Sequence, residues 1–310
     1  MNEPKPSLLH SCLPAALTAY LIWGFLPLYL ILVRVVPPVE FVAWRIVWTL
    51  PLCLLIAGFR KQLPEVLAAL RNPHVLMLLV ASSVLIVINW LTYIWAIQEG
   101  HVYAASLGYY INPLVNVLLG TVVLGEKLSR RQWIAVAIAA AGIAILLGGA
   151  LTTLWISLTL AFSFGTYGLV RKQVPVGALP GLTIESTILL MPALVTTWWF
   201  AQTPHGSSFG HDPQLSLLIM LGGVLTATPL WMFATAARKM SYSALGFTQF
   251  LAPSIVFVLG LTVFDKPLHP AQLACFVFIW AAIAVFVWDL LARSHKARPA
   301  SASPVSSSFE

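Results

Sequence analysis

The residue that could do the most distinctive chemistry is Arg45, which stands inside an otherwise apolar run over residues 39–58. It is about the eighth residue of that run, hence roughly 10 Å from its end at 1.5 Å rise per residue. A charge at that depth in a bilayer costs ~2.5–3.5 kcal/mol or more, so the side chain needs a partner or a water-filled cavity. A planar guanidinium there suits bidentate binding of a carboxylate or phosphate. The alternatives are an ion pair with Glu40 or Glu185, or hydrogen bonds to carbonyls of a neighbouring helix. Glu40 lies five residues away, about 140° round the helix, and is poorly placed for a same-helix pair. Glu185 falls about one turn inside another apolar run. It is either a proton-coupling carboxylate or an anion at a helix start, where the dipole favours it. Glu40, just after Pro37 and Pro38, reads more simply as such a cap.

Amides and hydroxyls recur at helical spacing. Tyr109, Asn112 and Asn116 fall at i, i+3 and i+7; Asn89 and Tyr93 at i, i+4; Ser163, Thr166 and Tyr167 at i, i+3, i+4. Pro113 and Pro253 each free a backbone carbonyl, and Gln249 precedes Pro253 by four residues. Kinked polar helix centres line substrate paths in transporters. The plainer alternative is hydrogen bonding between helices, worth ~0.6 kcal/mol on average. Four such faces on different segments favour a shared polar cavity. Trp23, Trp90, Trp95 and Trp231 are candidates for an aromatic wall, though membrane tryptophans mostly serve as interfacial anchors.

The elements that position these residues follow from composition. Of 310 residues, 59% are apolar and 9% charged, and mean hydropathy is +0.89. An ordinary soluble domain is about 45–50% apolar and about 25% charged. The excess implies an all-α polytopic membrane protein and argues against a cytosolic enzyme, a disulfide scaffold or a nucleic-acid binder. Ten runs of about 20 residues are candidate spans: 13–33, 39–58, 74–96, 102–123, 132–149, 152–170, 181–201, 214–236, 242–263 and 271–291. The first exceeds a ~7–15-residue signal h-region and is expected to remain as a helix. The stretches 59–73 and 203–213 read as the longest interior loops, and residues 292–310 as a low-complexity, disordered tail. Fourteen of the seventeen Lys and Arg residues fall on one side if the N-terminus is cytoplasmic; Arg34 and Lys266 fall on the other. Both termini are then cytoplasmic, in a bacterial inner membrane. The +7 net charge fits headgroup contact better than nucleic acid.

A shift of 140 residues aligns Pro113 with Pro253, Gly120 with Gly260 and Gln132 with Gln272. That distance is five spans, and an odd number inverts the second copy. The expected organisation is a cytoplasmic segment 1–12, a first five-helix repeat 13–149, an inverted second repeat 152–291 and the tail 292–310, with the substrate at the repeat interface.

The strings AYLIWG (19–24), NWLTYIWA (89–96), SLGYYINPLVN (106–116), LGE (124–126), LAFSFGTYGLVRK (160–172) and LGFTQFLAP (245–253) resemble the RarD branch of the EamA-type drug/metabolite transporters. The likeness runs from about Ala19 to Asp289. It implies ten transmembrane helices in two inverted repeats, a central cavity, and secondary transport of small metabolites. Where that family often carries a GE pair at the end of the ninth helix, this chain has Phe264, Asp265 and Lys266.

The sequence holds no GxxxxGK[ST], HExxH or CxxC motif. Cys12, Cys53 and Cys275 read as small apolar fillers. No catalytic residue, metal site or cofactor is expected. The expected substrate-binding set is Arg45, Asn89, Tyr93, Tyr109, Asn112, Asn116, Tyr167 and Gln249, with Glu185 as coupling candidate. The expected function is a secondary transporter, exporting amino-acid-like, carboxylate or drug-like metabolites, coupled to protons or a counter-substrate and acting as a monomer or homodimer. A membrane enzyme or a structural or regulatory subunit is the competing reading.

Overall fold

The computed structural model describes residues 6–99, 101–147, 151–264 and 269–296. Asp265 and Lys266, residues 1–5 of the N-terminal segment, the 148–150 connection and the tail beyond 296 lie outside them. Every regular element among the described residues is helical. The α-helices are α1 (Pro6–Leu32), α2 (Pro38–Phe59), α3 (Leu63–Leu70), α4 (Pro73–Gln98), α5 (Val102–Val122), α6 (Arg130–Leu147), α7 (Leu154–Gln173), α8 (Ala178–Ala201), α9 (Pro213–Lys239), α10 (Tyr242–Gln249), α11 (Leu251–Thr262) and α12 (Pro270–Lys296).

Among the described residues, eight segments are long and apolar enough to cross a membrane, α10 and α11 counting together. The remaining two expected spans are α5 and α7, of 21 and 20 residues. They are long enough but carry most of the interior amides and hydroxyls, and they pack on each other. The ten-span reading thus fits approximately. Large apolar residues such as Leu55, Trp198, Leu217 and Trp288 face outward, as a lipid solvent permits.

Three boundaries differ from expectation. The helix α1 begins at Pro6, not Leu13, because proline is tolerated in a first turn where its missing N–H costs nothing. The stretch expected as a loop at 59–73 contains α3: LPEVLAAL is apolar at helical spacing but too short to span. The ninth span breaks at Phe250. Pro253 cannot donate to the carbonyl of Gln249, so the ladder is interrupted there. Pro113, at the matching place in the first half, lies inside the continuous α5.

The helices pair in a pattern that maps onto itself when the first five spans are exchanged for the last five. The α1 helix packs on α9 and α11, as α7 packs on α4 and α5; α2 packs on α9 as α8 packs on α4. Three pairs map onto themselves: α2 with α8, α5 with α10, and α6 with α12. Close crossings depend on glycine. A Cβ on Gly223 would sit 2.6 Å from Trp48 Cβ, and one on Gly246 would sit 2.8 Å from the Pro113 carbonyl oxygen.

Candidate functional site

Arg45 projects from α2 toward α9. Its Nε donates to Thr226 Oγ1 at 2.7 Å, and that hydroxyl donates to the carbonyl of Gly222 at 2.7 Å. The guanidinium carbon lies 5.6 Å from the Phe41 ring centre and 5.5 Å from that of Trp90, a cation–π arrangement on two sides. The hydroxyls of Tyr29, Tyr93 and Tyr109 are within electrostatic reach. Gly222 makes room for the stem, since a Cβ there would stand 3.0 Å from Arg45 Cγ. The residue is half-buried, and Tyr109, whose ring meets that of Tyr93 at 5.7 Å, is 38% exposed.

Among the described residues Arg45 has no carboxylate partner. Glu40 is fully buried and accepts from Ser207 Oγ at 2.7 Å, Ser208 N–H and Oγ at 2.8 Å each, and Trp44 Nε1 at 3.3 Å. It holds the α8–α9 connection on the start of α2, where Phe209 stacks on Trp44 at 4.3 Å. Glu185 is engaged elsewhere.

The surroundings of Glu185 are a second polar centre, built from three helices. Its Oε1 lies 3.7 Å from Arg171 NH1 and accepts a very short hydrogen bond from Ser82 Oγ of α4. Its Oε2 accepts from Tyr167 OH of α7 at 3.4 Å. Arg171 is completely buried; its NH2 donates to the Ala178 carbonyl at 2.6 Å, while Nε and NH1 have no hydrogen-bond acceptor. Gly181 leaves room for it: a Cβ there would stand 2.1 Å from NH1, so the guanidinium would have to shift. Between the two centres lies a cavity of about 20 Å³, lined by Thr49, Trp90, Tyr167, Glu185, Ser186 and Thr226 among others. It has room for about one water molecule.

Of the residues expected to bind substrate, Arg45, Tyr93 and Tyr109 come together, and Tyr167 joins Glu185 at the cavity. The others fall in seams. Asn89 donates to the Leu160 carbonyl at 2.9 Å and to Ser163 Oγ at 3.1 Å, fastening α4 to α7. Asn116 donates to Gln249 Oε1 at 2.7 Å, fastening α5 to α10. Asn112 is buried on the same side of α5 as Asn116, and the Oδ1 atoms of both have no hydrogen-bond partner. The tryptophans do not form one wall: Trp23 meets Phe164, Trp95 meets Trp155, and Trp231 underlies Arg60.

Sequence reasoning missed Arg171, counted there as a loop charge. The available signal was its position four residues after Tyr167, on the same helical face. Thr226 and Ser82 carried no signal, since lone hydroxyls in apolar helices commonly bond their own backbone. Glu126 of the LGE string accepts from the N–H groups of Tyr242 and Ser243, and from Ser243 Oγ at 2.7 Å, anchoring the start of α10.

An apolar bundle of about ten spans, holding a guanidinium that meets no carboxylate among the described residues, is the architecture of a polytopic membrane protein. Residues 10–148 match the EamA-like transporter family. The chain is 44% identical to an uncharacterized transporter of Pseudomonas aeruginosa, over 88% of this chain and 92% of the relative. It is 38% identical to the protein RarD of Escherichia coli, over 89% and 93% of the two chains. A solved crystal structure at 21% identity superposes with a TM-score of 0.71, covering 91% of this chain and 99% of its own, and supports the fold. The chain belongs to the EamA-like transporter family, in its RarD branch.

Proposed function

We propose that the protein is a secondary transporter that exports a small metabolite bearing a carboxylate, amino-acid-like or drug-like in its remainder, by alternating access across a bacterial inner membrane. The observation that carries this is Arg45. A guanidinium this deep, half-exposed, flanked by Phe41 and Trp90 and with no carboxylate partner among the described residues, is prepared for an anionic ligand with an apolar or aromatic body. Its bond to the Thr226 hydroxyl orients it without neutralising it. The exchange symmetry of the helix pairing supports two five-helix units, 13–149 and 152–291, in inverted orientation, and the one-sided Lys and Arg distribution supports both termini being cytoplasmic. In this conformation the cavity between Arg45 and Glu185 is too small for a metabolite, so passage requires the units to rock apart.

Glu185 is the coupling group in this account. Its protonation would release Arg171 and loosen the junction of α4, α7 and α8. The test is flux from proteoliposomes loaded with a panel of carboxylates and their amides. Transport of carboxylates but not of the matched amides is the expected result; equal transport of both overturns the anion reading. Glu185→Gln is expected to abolish the pH dependence of flux, and unchanged pH dependence would remove Glu185 from the coupling step.

A further inference from the structure

The helix α3 takes no part in spanning the membrane. It begins after Lys61, which adopts a left-handed backbone with φ of 55° that turns the chain out of α2. Val66 and Ala69 face inward and join Leu79, Val174, Val176 and Ile184 in a small core. Glu65 accepts a hydrogen bond from the Gly177 N–H at 2.6 Å, tying α3 to the α7–α8 turn. A second stripe, Leu63, Leu67 and Leu70 at i, i+4 and i+7, is exposed, Leu67 by 56%, and the adjoining Phe59 is 81% exposed. Arg60, Lys61 and Arg71 stand exposed at the two ends of this apolar strip. A short helix with an outward leucine stripe and cationic ends matches the boundary between acyl chains and anionic headgroups.

We propose that α3 and its basic ends form a binding site for an anionic phospholipid. The headgroup phosphate is held between Arg71 and Lys61, and the acyl chains lie along Leu63, Leu67 and Leu70. Charge complementarity selects this occupant over a zwitterionic lipid: three cations flank the strip, and the single acid of the helix, Glu65, is engaged with Gly177. Arg60 also reaches Trp231 of α9 at 5.4 Å, so the test spares it. Because α3 grips the α7–α8 turn, whose Ala178 carbonyl accepts from Arg171, an occupied site stiffens the support of the Glu185 centre.

The experiment measures thermal unfolding and lipid retention by native mass spectrometry, in detergent micelles doped with phosphatidylglycerol or phosphatidylcholine. Wild type is expected to gain a higher unfolding midpoint with phosphatidylglycerol than with phosphatidylcholine. In Lys61→Asn/Arg71→Gln that difference should disappear and phosphatidylglycerol retention should fall by about an order of magnitude. Lys61→Asn keeps a residue that accepts the left-handed backbone. Lys127→Gln/Arg130→Gln removes the same charge elsewhere and should behave as wild type. Leu67→Gln, at an exposed position, should lower retention of the lipid without altering headgroup preference. Inorganic phosphate should not substitute. Equal stabilisation by both lipids, equal loss in both double variants, an unaffected Leu67→Gln, or full substitution by phosphate would each overturn the proposal.

Discussion

Two arginines inside the same bundle have opposite surroundings. Arg171 is sealed in the protein with Glu185 opposite, a carbonyl on NH2 and two nitrogens left without acceptors. Arg45 is half-exposed, holds one hydroxyl and two aromatic faces, and meets no carboxylate among the described residues. In low dielectric both charges are costly, and a partner must offset each. For Arg171 the fold supplies it. For Arg45 the described residues supply a hydroxyl and two aromatic faces but no counter-charge. Depth alone therefore does not separate the two arginines; the position of the nearest carboxylate does.

The comparison can be broken most severely at Arg171. Arg171→Ala strands Glu185 in the interior and is expected to cost about 3–5 kcal/mol of stability, read as loss of folded protein in detergent. The paired change Arg171→Met/Glu185→Leu should recover most of it. If the single variant is as stable as wild type, Arg171 is not structural. Next in size is Arg45→Ala, expected to lower carboxylate flux about 100-fold or more while the unfolding midpoint stays within a few degrees of wild type; that factor corresponds to about 2.7 kcal/mol. Collapse of the fold would instead place Arg45 with Arg171. Gly222→Ala adds to the contrast, because the new methyl presses on the Tyr29 hydroxyl, Arg45 Cγ and the Phe41 ring while leaving the Arg45 charge in place. A severalfold loss of flux with normal stability is expected. Smallest is Asn116→Ala, which removes the α5–α10 bond to Gln249 and should cost ~0.6 kcal/mol of stability with little change in substrate preference.

The sequence revealed the bundle well, because apolar runs of spanning length need no tertiary information. It marked Arg45 and Glu185 for the same reason: ionised groups in such runs are rare. It did not reveal which amides meet a cavity. Asn89 and Asn116 have the same helical spacing to their neighbours as Tyr93 and Tyr109, yet they point into helix seams, and the rotation of each helix about its axis is set by partners such as Gly165 and Gly246. The pairing of Glu185 with Arg171 was likewise hidden, since Arg171 sits at a helix end where a solvated charge is the ordinary outcome. The helix α3 escaped because a search for twenty-residue runs passes over an eight-residue helix lying along the surface.

If the ligand brings the carboxylate that Arg45 lacks among the described residues, binding must depend on both the guanidinium and the ligand's charge. The most direct measurement is ligand-dependent thermal stabilisation of purified wild type and Arg45→Ala, against aromatic and aliphatic carboxylates and their methyl esters. Ligand at 100 times its Kd stabilises the folded state by about 2.7 kcal/mol, a shift large enough to read. Wild type should be stabilised by at least one carboxylate and not by its ester, and Arg45→Ala should respond to neither. Equal stabilisation of both proteins by the same carboxylate would contradict it.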